Sequence, residues 1–208
     1  MKKSVSEQVT EAFLTDIFSN QFRPGEILSE RMLTEAYGCS KTTMREVLAT
    51  LCHSRILRSI PRMGYEVIWV ETDQAREVLE LRRIIELGIF RRSFQKATPE
   101  TLDRLRCCIH RTREAEQRRD LTGRWDGNAE FHMELMRLSG NGYAEWSLQF
   151  ALDTLKRALV QNLSNQHDSL IGLDTMVHHT AIVEAMERGD LEAAYQALEK
   201  DLRFFEAE

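Results

Sequence analysis

Four side chains in the later part of this sequence have the types and spacing of a metal site. His132 follows Asn128 by four residues, so on a helix the two share a face, and Leu135 and Met136 turn that face inward. His179 sits among Met176, Ile182, Val183 and Met186, a second inward face. Ala194, Leu198, Asp201 and Phe205 form a third stripe, on which a carboxylate is costly unless it meets a cation or donors. The break between the last two helices is Gly189–Asp190. His179 lies ten residues before Gly189 and Asp201 eleven after Asp190. In an antiparallel hairpin both then stand about 16 Å from the turn, at ~1.5 Å per residue. They are expected to face each other, with His132 and Asn128 arriving from another helix. Two imidazoles, one carboxylate and one amide oxygen suit a borderline-hard divalent metal such as Zn, Ni or Mn. A metal-free core, with His179 and Asp201 as a buried hydrogen-bonded pair, would satisfy the same residues. His178 is expected to be solvated or to neighbour the set; His53, His110 and His167 read as surface residues.

A second constellation lies near the start. In "CSKTTMREVLATL", residues 39–51, Ser40, Lys41, Thr42, Thr43 and Arg45 crowd one turn and a half, with Met44, Val47, Leu48 and Leu51 at helical spacing behind them. The first turn of a helix offers free N–H groups and the positive end of its dipole, which favour phosphate. Short hydroxyls and a long basic fork there reach phosphates and base edges. Within residues 41–62 five basic side chains (Lys41, Arg45, Arg55, Arg58, Arg62) stand against one acid, Glu46. The chain as a whole carries −5, split as +1 over residues 1–70 (nine Lys/Arg, eight Asp/Glu) and −6 over 71–208 (nineteen against twenty-five). A local cationic face on an acidic molecule fits a phosphate-binding tip better than general nucleic-acid coating.

The elements that must position these groups follow from pattern. Residues 5–20 read as an amphipathic helix through Val9, Phe13, Ile17 and Phe18, broken by Pro24 and Gly25. A short helix at about 29–37, capped by Ser29, ends at Gly38, and Ser40 caps the next, through about 53. "ILRSIPRMGYEVIWV" then gives two short strands around Pro61 and Gly64. Helix, turn, helix and hairpin make a winged helix-turn-helix over residues 1–71, whose second helix enters the major groove of double-stranded DNA.

From residue 72 to 208 the pattern is helical throughout: first a stripe of Val78, Leu81 and Ile85, then a helix capped by Thr98 with Pro99 at its first position, running through Leu102, Leu105 and Ile109. A polar stretch at 110–122 leads to a helix ending at Gly140–Asn141. Helices follow at about 143–163, 173–188 and 191–206. Six helices with short links indicate an antiparallel bundle. The fold class is therefore mainly α: a winged unit with a small β wing, then an all-α bundle. Apolar runs fall short of the ~18 residues of a membrane helix. The opening "MKKSVSEQVTEAF" has no apolar core, so no signal peptide is expected. The four cysteines show no disulfide spacing, consistent with reduced thiols and a cytoplasmic protein. No nucleophile elbow, phosphate loop or acid/base pair in a recognisable frame points to an enzyme.

At this point "RPGEILSERMLTEAYGCSKTTMREVLATL…RSIPRMGYEV" resembles the winged-helix domain of GntR-type transcription regulators. "LRRIIE", "NAEFH", "SGN" and "HTAIVEAMERGDLEAA" resemble the helical effector domain of the FadR-like, or FCD, subgroup. The resemblance spans nearly the whole chain, with two independent modules in order. It implies DNA contacts by Arg31, Ser40, Lys41, Thr43 and Arg45, with Arg62 and Gly64 in the wing, Gly64 approaching the minor groove. Lys41 stands where arginine is frequent. Arg55 stands where a glycine usually ends the recognition helix, so a different local turn is expected, because a left-handed non-glycine residue is costly. The metal positions of the FCD family are usually Asp, His, His, His; here Asn128 takes the first and Asp201 the last. The resemblance also suggests that Arg82, with Glu86 four residues on, faces the pocket and holds an effector carboxylate; a simple intrahelical ion pair is the alternative.

The expected function is a ligand-responsive transcriptional regulator, a repressor on a palindromic operator, bound as a homodimer and answering to a small carboxylate with a divalent metal in the bundle. The alternative is a constitutive DNA-binding protein whose bundle only dimerises.

Overall fold

Three serines start the first three helices. Ser4, Ser29 and Ser40 each accept a first-turn N–H, from Glu7, Met32 and Thr43, and open α1 (Val5–Phe18), α2 (Glu30–Ala36) and α3 (Lys41–His53). Ser4 and Glu7 complete a reciprocal capping box. The computed structural model describes residues 3–165 and 176–203, with side chains left undescribed at 162–165 and 176. α3 buries Met44, Val47, Leu48 and Leu51 against Val9, Phe13 and Ile17 of α1 and Leu33 of α2.

The end of α3 corrects one expectation. Arg55 does adopt the left-handed conformation, with φ 53°, and the Ile56 N–H closes onto the Leu51 carbonyl at 2.9 Å, as after a glycine. The strain is about 1–2 kcal/mol. Arg157 offsets part of it by donating from Nη1 to the Arg55 carbonyl at 3.1 Å.

The wing is a three-stranded antiparallel sheet in the order β1-β3-β2, of β1 (Ile27–Leu28), β2 (Leu57–Ile60) and β3 (Gly64–Val67). Two strands were expected; β1 is two residues long and has no alternation to read. It pairs Ile27 with Glu66 and Leu28 with Tyr65. This pairing gives Gly64 a structural reason to be glycine. Its φ is 135°, and a Cβ there would stand 2.4 Å from the Leu28 carbonyl oxygen.

Two compact units result. Of the described residues, one comprises 3–71 with 157–165, the other 72–156 with 176–203. In the first unit, Gln161 also accepts the Val70 N–H at 3.1 Å.

The described helices of the remaining chain are α4 (Thr72–Ser93), α5 (Pro99–Gln117), α6 (Leu121–Arg137), α7 (Gly142–Asn165), α8 (Met176–Glu187) and α9 (Leu191–Arg203), with a 3₁₀ turn at Phe94–Lys96. α5 packs on α6 and α8, α8 on α9, and α9 on α4. Leu105, Ile109, Phe131, Leu135, Ile182, Val183 and Leu198 meet in one core. α5 continues through residues 110–117, which read as a polar stretch. Thr112 and Ala115 alone turn inward there, and Thr112 fills the space a Gly127 Cβ would need, so α6 sits tightly on α5 beside Asn128.

The stripe of α4 also differs from expectation. Val78, Leu81 and Ile85 are half-buried or exposed, while Ala75, Arg82, Glu86, Leu87 and Phe90 face inward. His167, Phe205 and the expected ends of α8 and α9 at 173 and 206 lie outside the described residues. No described helix is long and apolar enough to cross a membrane. All four cysteines are free thiols.

Candidate functional site

Three helices bring His132 (α6), His179 (α8) and Asp201 (α9) to one point in the second unit, each with no solvent exposure. The His132 and His179 Nε2 atoms are 3.3 Å apart. His132 Nε2 lies 3.1 Å from Asp201 Oδ2, and His179 Nε2 lies 3.4 Å from Asp201 Oδ1. The donors of all three lie within 4.8 Å of one another. Four donors set tetrahedrally at ~2.1 Å from one ion are about 3.4 Å apart, and octahedral neighbours about 3.0 Å. The observed separations fall at those values. The two Nε2 atoms lie within hydrogen-bonding distance of each other and of Asp201, so the same three groups can share protons as a metal-free cluster or hold one ion. Three lone-pair atoms converging in a dry core fit a divalent metal. His179 Nδ1 is buried without a partner, and the ring is fixed by stacking on Phe131, 3.8 Å between centroids at 10°.

His132 is held from behind. Its Nδ1 lies 2.6 Å from Glu86 Oε2, and the other oxygen of Glu86 accepts from Arg82 Nε at 2.5 Å. A carboxylate on Nδ1 fixes that nitrogen as the protonated one in the neutral ring and leaves the Nε2 lone pair for the cluster. Arg82, expected to hold an effector, is fully buried, and both Glu86 oxygens are taken by protein groups. Sequence reading missed the Glu86–His132 link because Val78, Leu81 and Ile85 masked the true inward stripe. The available signal was Arg82–Glu86 at i, i+4. Asn128 is buried one turn before His132.

Charge in the cluster follows from these neighbours. Burial disfavours the ionised form of Glu86, yet Arg82 and then His132 outweigh it and lower its pKa. Burial likewise opposes a charge on Asp201, but the adjacent imidazoles hold its carboxyl far below the usual range. Burial and Arg82 push His132 down, but the carboxylates on both sides raise it on balance. Burial keeps His179 low. Two anions, Glu86 and Asp201, thus stand beside one buried guanidinium; a proton on His132 balances the second anion in the metal-free cluster, and a divalent ion would take its place.

The other candidate residues lie in the first unit. Ser40 is committed to capping α3, and its hydroxyl lies 2.9 Å from that of Thr43. Lys41 is exposed at the first turn. Arg45 donates from Nε to Glu30 at 3.0 Å. Arg31 lies 3.9 Å from Glu35. Arg62 is exposed in the turn between β2 and β3, with φ 67°. His53 and His110 are exposed, and His178 is half-buried.

Two family models match this chain in succession. Residues 5–67 match the family described as bacterial regulatory proteins, gntR family, and residues 77–204 match the FCD domain. An HTH-type transcriptional regulator from an unstable DNA locus of Streptomyces ambofaciens is 28% identical over 187 residues, covering 90% of this chain and 77% of that protein. The Escherichia coli HTH-type transcriptional repressor RspR is 23% identical over 203 residues, covering 96% and 86%. The solved structure of E. coli McbR/YncC has the same fold, with a TM-score of 0.82 at 19% identity, covering 98% of this chain and 95% of that one.

Proposed function

We propose that this chain, which belongs to the FCD-domain branch of the gntR family of bacterial regulatory proteins, represses transcription from a palindromic operator and is retuned by a small carboxylate bound in its helical unit. It is a transcription regulator and not an enzyme, as are the relatives it matches. The observation that carries the effector half is the converging trio of His132, His179 and Asp201, backed by Glu86. These residues would hold one divalent ion, with Asn128 beside them. When bound, such an ion supplies a positive centre for an incoming carboxylate. Glu86 acts through His132, by fixing its ring; Arg82 neutralises Glu86.

The DNA half is supported by the cationic first turn of α3 and the basic wing. One winged unit reads too few bases for a genomic site, so the active form is a homodimer on two half-sites. Apolar side chains left at the surface, Leu81 and Ile84 on α4 and Tyr143 and Trp146 on α7, support such an association.

The test begins with selection of bound duplexes from a random library by the full-length protein. The enriched sequence is then titrated with and without Zn or Ni and a panel of small carboxylates. The expected result is a pseudopalindrome whose affinity changes when metal and a carboxylate are both present. An enriched site whose affinity no metal or carboxylate alters would support the constitutive alternative and defeat the effector reading.

A further inference from the structure

The arginine of the recognition helix is held by an acid from the neighbouring helix. Arg45 leans from α3 to the first turn of α2, where its Nε–H donates to both oxygens of Glu30, at 3.0 and 3.2 Å. The Arg45 side chain is 69% exposed and that of Glu30 only 26%. Tyr65 of β3 lies close enough to feel both charges. Among the described residues, the two Nη groups of Arg45 have no partner. In the wing, Arg58 is paired too, but through both Nε and Nη2 to Glu66 within the sheet, whereas Arg31 and Glu35 are 3.9 Å apart and both well exposed, and Lys41 and Arg62 pair with no described acid.

A guanidinium offers two double-donor edges, Nε with one Nη, and the two Nη groups end-on. Glu30 takes the Nε–H of the first edge, so that edge no longer offers two free donors. What remains is the end-on fork, which matches the O6 and N7 acceptors of guanine. The Glu30 charge also partly cancels the Arg45 charge at the surface that approaches phosphates. A register in which Arg45 meets only a phosphate therefore gains less counterion release than a free arginine would give. A register in which the fork meets a base keeps its directed hydrogen bonds.

We propose that Glu30 is a specificity-determining residue. It holds Arg45 by Nε, presents the Nη fork to a base, and weakens binding that relies on phosphate alone. This rests on the reading of α3 as the DNA-reading helix. The plain structural role for Glu30, an acid in the first turn of α2 favoured by the helix dipole, would show as a lower melting temperature without a change in discrimination.

The experiment uses the full-length protein, the duplex selected from a random library and a scrambled duplex, with anisotropy titrations at several salt concentrations. Glu30→Gln keeps the side chain's size and removes its charge. It should bind the scrambled duplex several-fold more tightly, with the salt slope steeper by about 0.9, one added phosphate contact. Affinity for the selected duplex should rise less, so the specific-to-random ratio falls about fivefold or more. Glu35→Gln removes an acid from the same helix and should leave the ratio unchanged. In an Arg45→Ala background, Glu30→Gln should no longer alter the ratio. A ratio unmoved by Glu30→Gln, or a fall that persists without Arg45, overturns the proposal. If selection enriches no sequence, the DNA-reading assignment falls and this proposal with it. If it enriches one and Glu30→Gln keeps the ratio, only this proposal falls.

Discussion

Glu86→Gln isolates the part of the site that touches no ligand. The substitution keeps the size of the side chain but replaces the anion 2.6 Å from His132 Nδ1 with a neutral amide. The amide can present either its oxygen or its NH₂ to that nitrogen, so the tautomer of His132 is no longer fixed. Losing such a supporting carboxylate weakens metal binding about 10–100-fold, or about 1.4–2.8 kcal/mol. The same change removes the anion 2.5 Å from the buried Arg82 Nε. Breaking a buried ion pair costs about 3–5 kcal/mol, and the retained amide oxygen makes that an upper figure here. Two readouts separate the effects. Thermal melting of the stripped protein reports the Arg82 cost. Competition against a chromophoric chelator, with Zn or Ni added back, reports metal affinity. A lowered melting temperature with unchanged metal affinity would refute the role assigned to Glu86 and leave it a structural partner of Arg82.

Other expected outcomes follow from single contacts. Asn128→Asp puts an anionic donor beside His132 and should tighten metal in the same chelator competition. Ile84→Asp places a charge in the exposed apolar patch of α4 and should shift the protein from dimer toward monomer in light scattering at micromolar concentration. Gly64→Ala forces a Cβ against the Leu28 carbonyl at positive φ and should destabilise the winged unit by about 1–3 kcal/mol in denaturant unfolding. Arg45→Ala should cost about 1–3 kcal/mol on the selected operator if it reads a base, or flatten the salt slope on every duplex if it meets only phosphate; gel shifts at two salt concentrations tell these apart.

Much of this architecture was legible because the local signals agree. Ser29, Ser40 and Thr98 announce helix starts, Gly38 and Gly189 mark ends, and Pro61 to Gly64 marks the wing turn. The facing of His179 and Asp201 followed from counting residues on either side of one turn. What escaped the sequence has physical causes. β1 is too short to alternate. Arg55 takes a left-handed turn that its residue type disfavours, with Arg157 on its carbonyl, a contact 102 residues away. The inward stripe of α4 is partly ionic, so hydropathy periodicity selected Val78, Leu81 and Ile85 in place of Arg82 and Glu86. The Arg45–Glu30 pair joins two helices through a turn and carries no periodic signature.

The most direct measurement is thermal melting of stripped wild-type protein against added Zn or Ni, beside His132→Ala and with bound metal counted by elemental analysis. The stabilisation should follow RT ln(1 + [L]/Kd), about 2.7 kcal/mol at a hundredfold excess over Kd. Wild type should take up one ion per chain and show that rise, chelator should reverse it, and His132→Ala should show neither. A flat wild-type melt with no stoichiometric metal would contradict the site, leaving His132, His179 and Asp201 as a metal-free buried cluster.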